Sequence, residues 1–162
     1  LVLMAPSGLA PVYAAPKDRI WTAPVLGDWL MPVAGGWALR RELAAEAGAP
    51  TVIPDLTTRL AAETRRRGYL PSVFSSRRHV LSQLLDDDQR TIADYGTAVL
   101  GIWGEAYQFI PLSSMGRLAE LNPNAQHVQL AKATHNFPQT HPGRIAEILK
   151  SFLGDQTGSE RA

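Results

Sequence analysis

Residues 103–111 read WGEAYQFIP. The apolar run Val99, Leu100, Gly101, Ile102, Trp103 ends at Gly104, and Pro111 closes the segment that follows. A short apolar run stopped by glycine reads as a strand, and the stretch carrying Glu105, Tyr107 and Gln108 as the loop at its carboxyl end. A second stretch, Ala133-Thr134-His135-Asn136, lies 28 residues after Tyr107 and follows the short strand marked by Val128 and Leu130. Between them, Ser113 or Ser114 can cap a helix with Met115, Leu118 and Leu121 on one side, stopped by Asn122-Pro123. After His135, Pro142 sits in the first turn of a helix whose Ile145, Ile148, Leu149 and Phe152 fall at i, i+3, i+4 and i+7. Residues after Gly154 read as a frayed tail.

The chain opens LVLMAPSGL, a continuous apolar run ended by Pro6 and Gly8, as in a strand buried on both faces of a parallel sheet. An opening inside a strand, with no lead-in, suggests the second part of a longer protein. Between the first strand and residue 96 the sequence reads as helices and loops. Helices are expected over 37–48, with Leu39 and Leu43 on one face, from Asp55 to Gly68, and over 72–85. Asp55 can cap the second of these, and Arg65, Arg66 and Arg67 suit its negative end. Strand–helix alternation over 96–153 predicts an α/β fold with parallel strands flanked by helices. In such sheets ligands bind at the carboxyl ends of strands, where both loops lie, and a histidine there has the chemistry of a general base.

Composition narrows the classes. The 162 residues suffice for one domain with a real core, and 45% hydrophobic with 19% charged is globular. A net charge of +1 gives no footing for a nucleic-acid binder. The absence of cysteine excludes disulfides, thiolate metal sites and a cysteine nucleophile. The most apolar region, 20–39, contains Pro24, Pro32, Asp28 and three glycines, so it is no spanning helix, and no signal peptide is visible.

Strand, helical insertion, a strand–loop of pattern W-G-x-x-[D]-x-x-x-P, helix, short strand, then x-x-x-H before an amphipathic helix: this order resembles the C-terminal half of an α/β-hydrolase, over nearly the whole chain. The resemblance implies a partial α/β-hydrolase fold with a helical cap inserted in the core. Residues 1–12 would be a core strand, 13–95 the cap, 96–153 the rest of the core and 154–162 a tail. WGEAYQFIP would carry the acid of the catalytic triad, with Tyr107 in the acid position, and His135 would be the general base. The family's nucleophile sits in G-x-S-x-G. That motif does not occur here, and Ser7, flanked by Pro6 and Gly8, does not match it, so the nucleophile is expected in a missing N-terminal half. Tyrosine is neutral at pH 7 and cannot stabilise an imidazolium as a carboxylate does, though it can accept a hydrogen bond from the histidine. The resemblance further implies hydrolysis of an ester or related carbonyl compound, an apolar small-molecule substrate, no cofactor and a cytoplasmic location.

Other residues admit two readings. Glu105 is the nearest substitute acid, or a solvated turn residue. Trp29, Trp37 and Phe137 are candidate substrate contacts, and Trp21 joins them as aromatic residues that could line a pocket or pack the cap helices. Asp86, Asp87 and Asp88 read as a solvated turn or helix start rather than a metal site. His79, His127 and His141 show no ligand spacing.

Overall fold

The structure, a computed structural model, describes residues 1–12, 16–46, 51–106, 110–134 and 136–159, without the side chains of 16–18, 45–46 and 155–159. Three strands, β1 (Val2–Met4), β2 (Leu100–Gly104) and β3 (Gln126–Leu130), form one sheet in the order β1-β2-β3. Both pairings are parallel, with Leu3 opposite Gly101 and Ile102 opposite Val128. The expected adjacent, parallel strands are therefore present, and their connections are helical as parallel pairing demands.

Side-chain alternation sorts the sheet into two buried faces. Leu100, Ile102 and Leu130 point to one face, where Phe137 and α9 (Pro142–Ser159) cover them with Ile145, Ile148 and Phe152. Trp103 points to the other, where Leu118 and Leu121 of α7 (Ser113–Leu121) meet Leu9, Val12 and Ile110. Ile102, Trp103 and Leu118 are at most 1% exposed, and burial of each such side chain contributes roughly 1.5–3 kcal/mol. Gly101 makes room on this second face: a Cβ there would lie 2.8 Å from Trp103 Nε1 and 3.3 Å from His127 Nδ1.

Between β1 and β2 the described chain is helical. It comprises α1 (Pro16–Thr22), α2 (Leu26–Leu30), a π-helical turn (Met31–Gly35), α3 (Gly36–Glu46), α4 (Leu56–Glu63), α5 (Tyr69–Arg78), a 3₁₀ turn (Val80–Ser82) and α6 (Asp86–Asp94). Several local expectations change. Asp55 precedes α4 in the left-handed region, φ 56°, and its side chain caps nothing. The helix stops at Glu63, because Thr64 Oγ1 donates to the Ala61 carbonyl (2.7 Å) and the Arg65 and Arg66 amides bond three residues back. Arg65, Arg66 and Arg67 thus occupy a turn rather than a helix end. The helix expected over 72–85 is shorter and earlier. Its end is taken by the 3₁₀ turn, and the separate helix α6 follows, with Asp86, Asp87 and Asp88 in its first turn beside the positive helix terminus. At the other end of the chain, α9 runs past Gly154 to Ser159, through residues read as a tail.

Charge pairs tie the helical region together. Arg77 Nη2 donates to both Glu42 oxygens (2.9 and 2.8 Å), joining α5 to α3. Arg78 donates to the Thr22 carbonyl and to Asp28 Oδ1 (3.0 and 2.8 Å), and that guanidinium holds the Asp28 carboxyl below its usual range. Trp21 stacks on Phe74 with ring centroids 5.6 Å apart.

Candidate functional site

The carboxyl ends of the three strands lie side by side, and their loops are joined by backbone. After β1, the Ala5 amide donates to the Ile102 carbonyl (2.9 Å), and the Leu85 amide, just ahead of α6, donates to the Gly8 carbonyl (2.7 Å). After β2, the Glu105 amide donates to Leu130 (3.1 Å) and the Ala106 amide to Ala133 (3.0 Å), extending the ladder beyond the sheet. The Glu105 carboxylate closes the same junction from its side chain, its Oε2 accepting from the Lys132 amide at 3.3 Å. Lys132 itself adopts a left-handed backbone, φ 57°.

Gly104 explains how two loops fit so closely. A Cβ at this position would lie 2.5 Å from the Ala133 carbonyl oxygen and 3.3 Å from that of Thr134. Only the bare Cα lets the β3 loop lie against the end of β2. Tyr107 and His135 lie outside the described residues, and their flanks are firmly seated. Ile110 is buried with Trp103 and Leu118. Ala133 and Phe137, on either side of His135 in sequence, are each 1% exposed. Phe137 opens α8 (Phe137–Thr140), with its amide on the Thr134 carbonyl at 3.2 Å. Its ring belongs to the core beneath α9.

The helical region reaches the same corner. The Gln139 carbonyl of α8 accepts from the Val52 amide (3.0 Å) and from Thr51 Oγ1 (3.4 Å), and that hydroxyl also receives the Ile53 amide (3.1 Å). Trp29 and Trp37 are 68% and 59% exposed on α2 and α3, and the Arg41 guanidinium stacks over the Trp37 ring at 5.5 Å. These two rings thus remain available for contact, whereas Trp21 packs within the helices.

Several other titratable groups have structural partners. Asp86 pairs with Arg117, whose guanidinium it holds above the usual range, and Asp87 pairs with Arg90 at 2.7 Å. Among the described residues no three His, Asp or Glu side chains group to hold a metal ion. His141 Nδ1 lies 2.7 Å from Thr140 Oγ1. His127 Nδ1 accepts from Trp103 Nε1 at 3.3 Å, and burial pushes its pKa below the ordinary histidine value. Sequence reasoning missed Lys132, Gln139 and His127. A lysine carries no sign of a left-handed backbone, and the other two act through partners distant in sequence. Gly104 was legible as a strand stop but not as the seat of the second loop.

Parallel strands with helices on both faces, a long helical excursion after the first strand and two interlocked strand-end loops define a partial α/β-hydrolase fold. Solved structures share it. A 2-hydroxy-6-oxo-6-phenylhexa-2,4-dienoate hydrolase from a Rhodococcus strain matches 94% of this chain at a TM-score of 0.61 and 13% identity. A thermophilic esterase from Thermogutta terrifontis matches 96% at 0.59 and 16%. A meta-cleavage product hydrolase from Pseudomonas fluorescens matches 96% at 0.57 and 21%. The chain spans about half the length of each: 54%, 55% and 55%. No protein-family model and no curated protein matches the chain. Among the described residues no helix is long and apolar enough to cross a membrane.

Proposed function

We propose that this chain supplies the C-terminal portion of a capped hydrolase that cleaves an ester or related carbonyl compound through a serine nucleophile on a preceding segment. The observation that carries this reading is the junction of the β2 and β3 loops by three hydrogen bonds at the carboxyl end of the sheet. It joins Glu105 and Ala106, which precede Tyr107 in sequence, to Leu130, Lys132 and Ala133, which precede His135. In the proposed reaction His135 takes the serine proton during acylation and then activates water for deacylation. Tyr107 occupies the acid position and orients the imidazole by accepting its N–H, without supplying charge. Glu105 is the alternative acid. Residues 13–95 form the cap over a core made of 1–12 and 96–153, and the exposed rings of Trp29 and Trp37 meet an apolar substrate.

A second reading is a non-catalytic relative that keeps the cap as a ligand-binding or interaction surface. The tyrosine in the acid position favours it. An activated ester and a fluorophosphonate probe separate the two. The longer protein hydrolyses the ester, is labelled on a serine outside these 162 residues and loses turnover in His135→Ala. The 162-residue chain alone does neither. Labelling of a serine within the chain, or an active longer protein indifferent to His135→Ala, refutes the assignment.

A further inference from the structure

Glu105 and Lys132 pose a question that the acid–base roles leave open. Lys132 holds φ at 57°, a conformation that a side chain bearing a Cβ avoids, so the turn at 131–133 must be held in place by its contacts. Among the described residues, the amides of this turn make two contacts. One is local, from the Ala133 amide to the Leu130 carbonyl at 3.3 Å. The other crosses between loops: the Glu105 carboxylate accepts the Lys132 amide at 3.3 Å. An ionised acceptor makes a hydrogen bond about twice as strong as a neutral one. The Glu105 main chain is committed to the same neighbour, its amide on Leu130 and the next amide on Ala133. Three residues after this left-handed turn comes His135.

We infer that Glu105 is a positioning residue rather than the acid: its carboxylate fastens the left-handed turn at Lys132 to the end of β2 and so sets the segment that leads into His135. The inference rests on the reading of His135 as general base. A triad acid spends its carboxylate on the imidazole N–H. Among the described residues, Oε2 of Glu105 accepts from backbone, where it offsets the conformational cost of a lysine in a region that suits glycine. The two roles predict opposite responses to removal of charge without removal of an acceptor.

The test is NMR on the 162-residue chain, with Glu105→Gln, Glu105→Ala and Glu105→Ala/Lys132→Gly. In the parent chain the Lys132 amide proton shift responds to pH through the Glu105 carboxylate, and Glu105→Gln abolishes that response. Glu105→Gln retains an acceptor and leaves the imidazole pKa of His135 in place. Were Glu105 the acid partner, the same change would lower that pKa by about one unit or more, and the inference would be overturned. Glu105→Ala frees the turn and raises hydrogen exchange at the Ala106 amide by about tenfold. Adding Lys132→Gly restores protection, because glycine takes positive φ without a fastening contact. Failure of glycine to rescue overturns the inference, since the loss would then lie in some other consequence of truncating Glu105. In the longer protein, Glu105→Ala lowers kcat and Lys132→Gly recovers it. Should His135→Ala leave hydrolysis intact, the reading of His135 as general base fails, while the amide response to pH and the glycine rescue still decide whether Glu105 fastens the turn.

Discussion

Replacing Gly104 by alanine tests the geometry on which the candidate site depends. The new Cβ would sit 2.5 Å from the Ala133 carbonyl oxygen, about 0.9 Å short of the 3.4 Å at which ordinary contact begins. Both the Ala133 carbonyl carbon, at 3.1 Å, and the Thr134 oxygen, at 3.3 Å, stand behind it, so the obstacle is backbone and cannot rotate away. The β3 loop must retreat. The bonds from Glu105 to Leu130 and from Ala106 to Ala133, now 3.1 and 3.0 Å, then stretch past the range of a useful hydrogen bond. Two such bonds are worth about 2 kcal/mol together, within the usual cost of overpacking. For a chain of this length that lowers Tm by about 4–8 °C. Urea or thermal unfolding measures it, with Gly116→Ala as the control. Gly116 lies in α7 with nothing within 4 Å of its Cβ position, so alanine there is neutral or stabilises by about 0.5–1 kcal/mol. If Gly104→Ala proves as harmless as Gly116→Ala, the two loops are not in contact as described.

Two further outcomes follow from the same structure. Burial pushes the folded pKa of His127 below the unfolded value; the unfolded chain binds the proton first, and the stability contributed is complete above the unfolded pKa near 6.5 and is lost as pH falls through the folded one. Urea unfolding between about pH 7.5 and 5.5 should show a loss that His127→Gln, which keeps an acceptor for Trp103, reduces; an equal loss in both proteins refutes this account. In the longer protein, Tyr107→Asp raises kcat for an activated ester by supplying the missing charge, by less than the roughly 10⁴ that the acid is worth in a serine protease, and an unchanged rate counts against Tyr107 as the occupant of the acid position.

The sequence disclosed the sheet more fully than the helices, for a physical reason. A strand buried on both faces must be apolar throughout, so Val99 to Trp103 announced itself, and Gly104 marked its end. The final helix was equally legible, because Ile145, Ile148 and Phe152 fall on one face against the core. The helices between β1 and β2 turn much of their apolar surface outward, with Val25, Trp29, Val33 and Trp37 all more than half exposed. Their pattern therefore lacks the contrast between faces that signals a helix, and α1 and α2 went unrecognised. The π-helical turn at Met31–Gly35 breaks the period further. For the site, residue type pointed to the loops but not to what joins them. Nothing in a glutamate or a lysine tells that one will hold the other by its backbone, since that bond depends on register between strands 26 residues apart.

The bond between the Val52 amide and the Gln139 carbonyl has a mechanical meaning. It joins the helical region to α8 directly, bypassing the sheet, at a turn whose other end lies beside position 135. A displacement of 51–53 relative to 137–140 therefore has to break or stretch these bonds. Thermodynamic reciprocity makes the traffic two-way: a ligand that shifts the helical region alters the free energy of the α8 turn, and whatever engages that turn alters, by the same amount, the affinity of the helical region for its ligand.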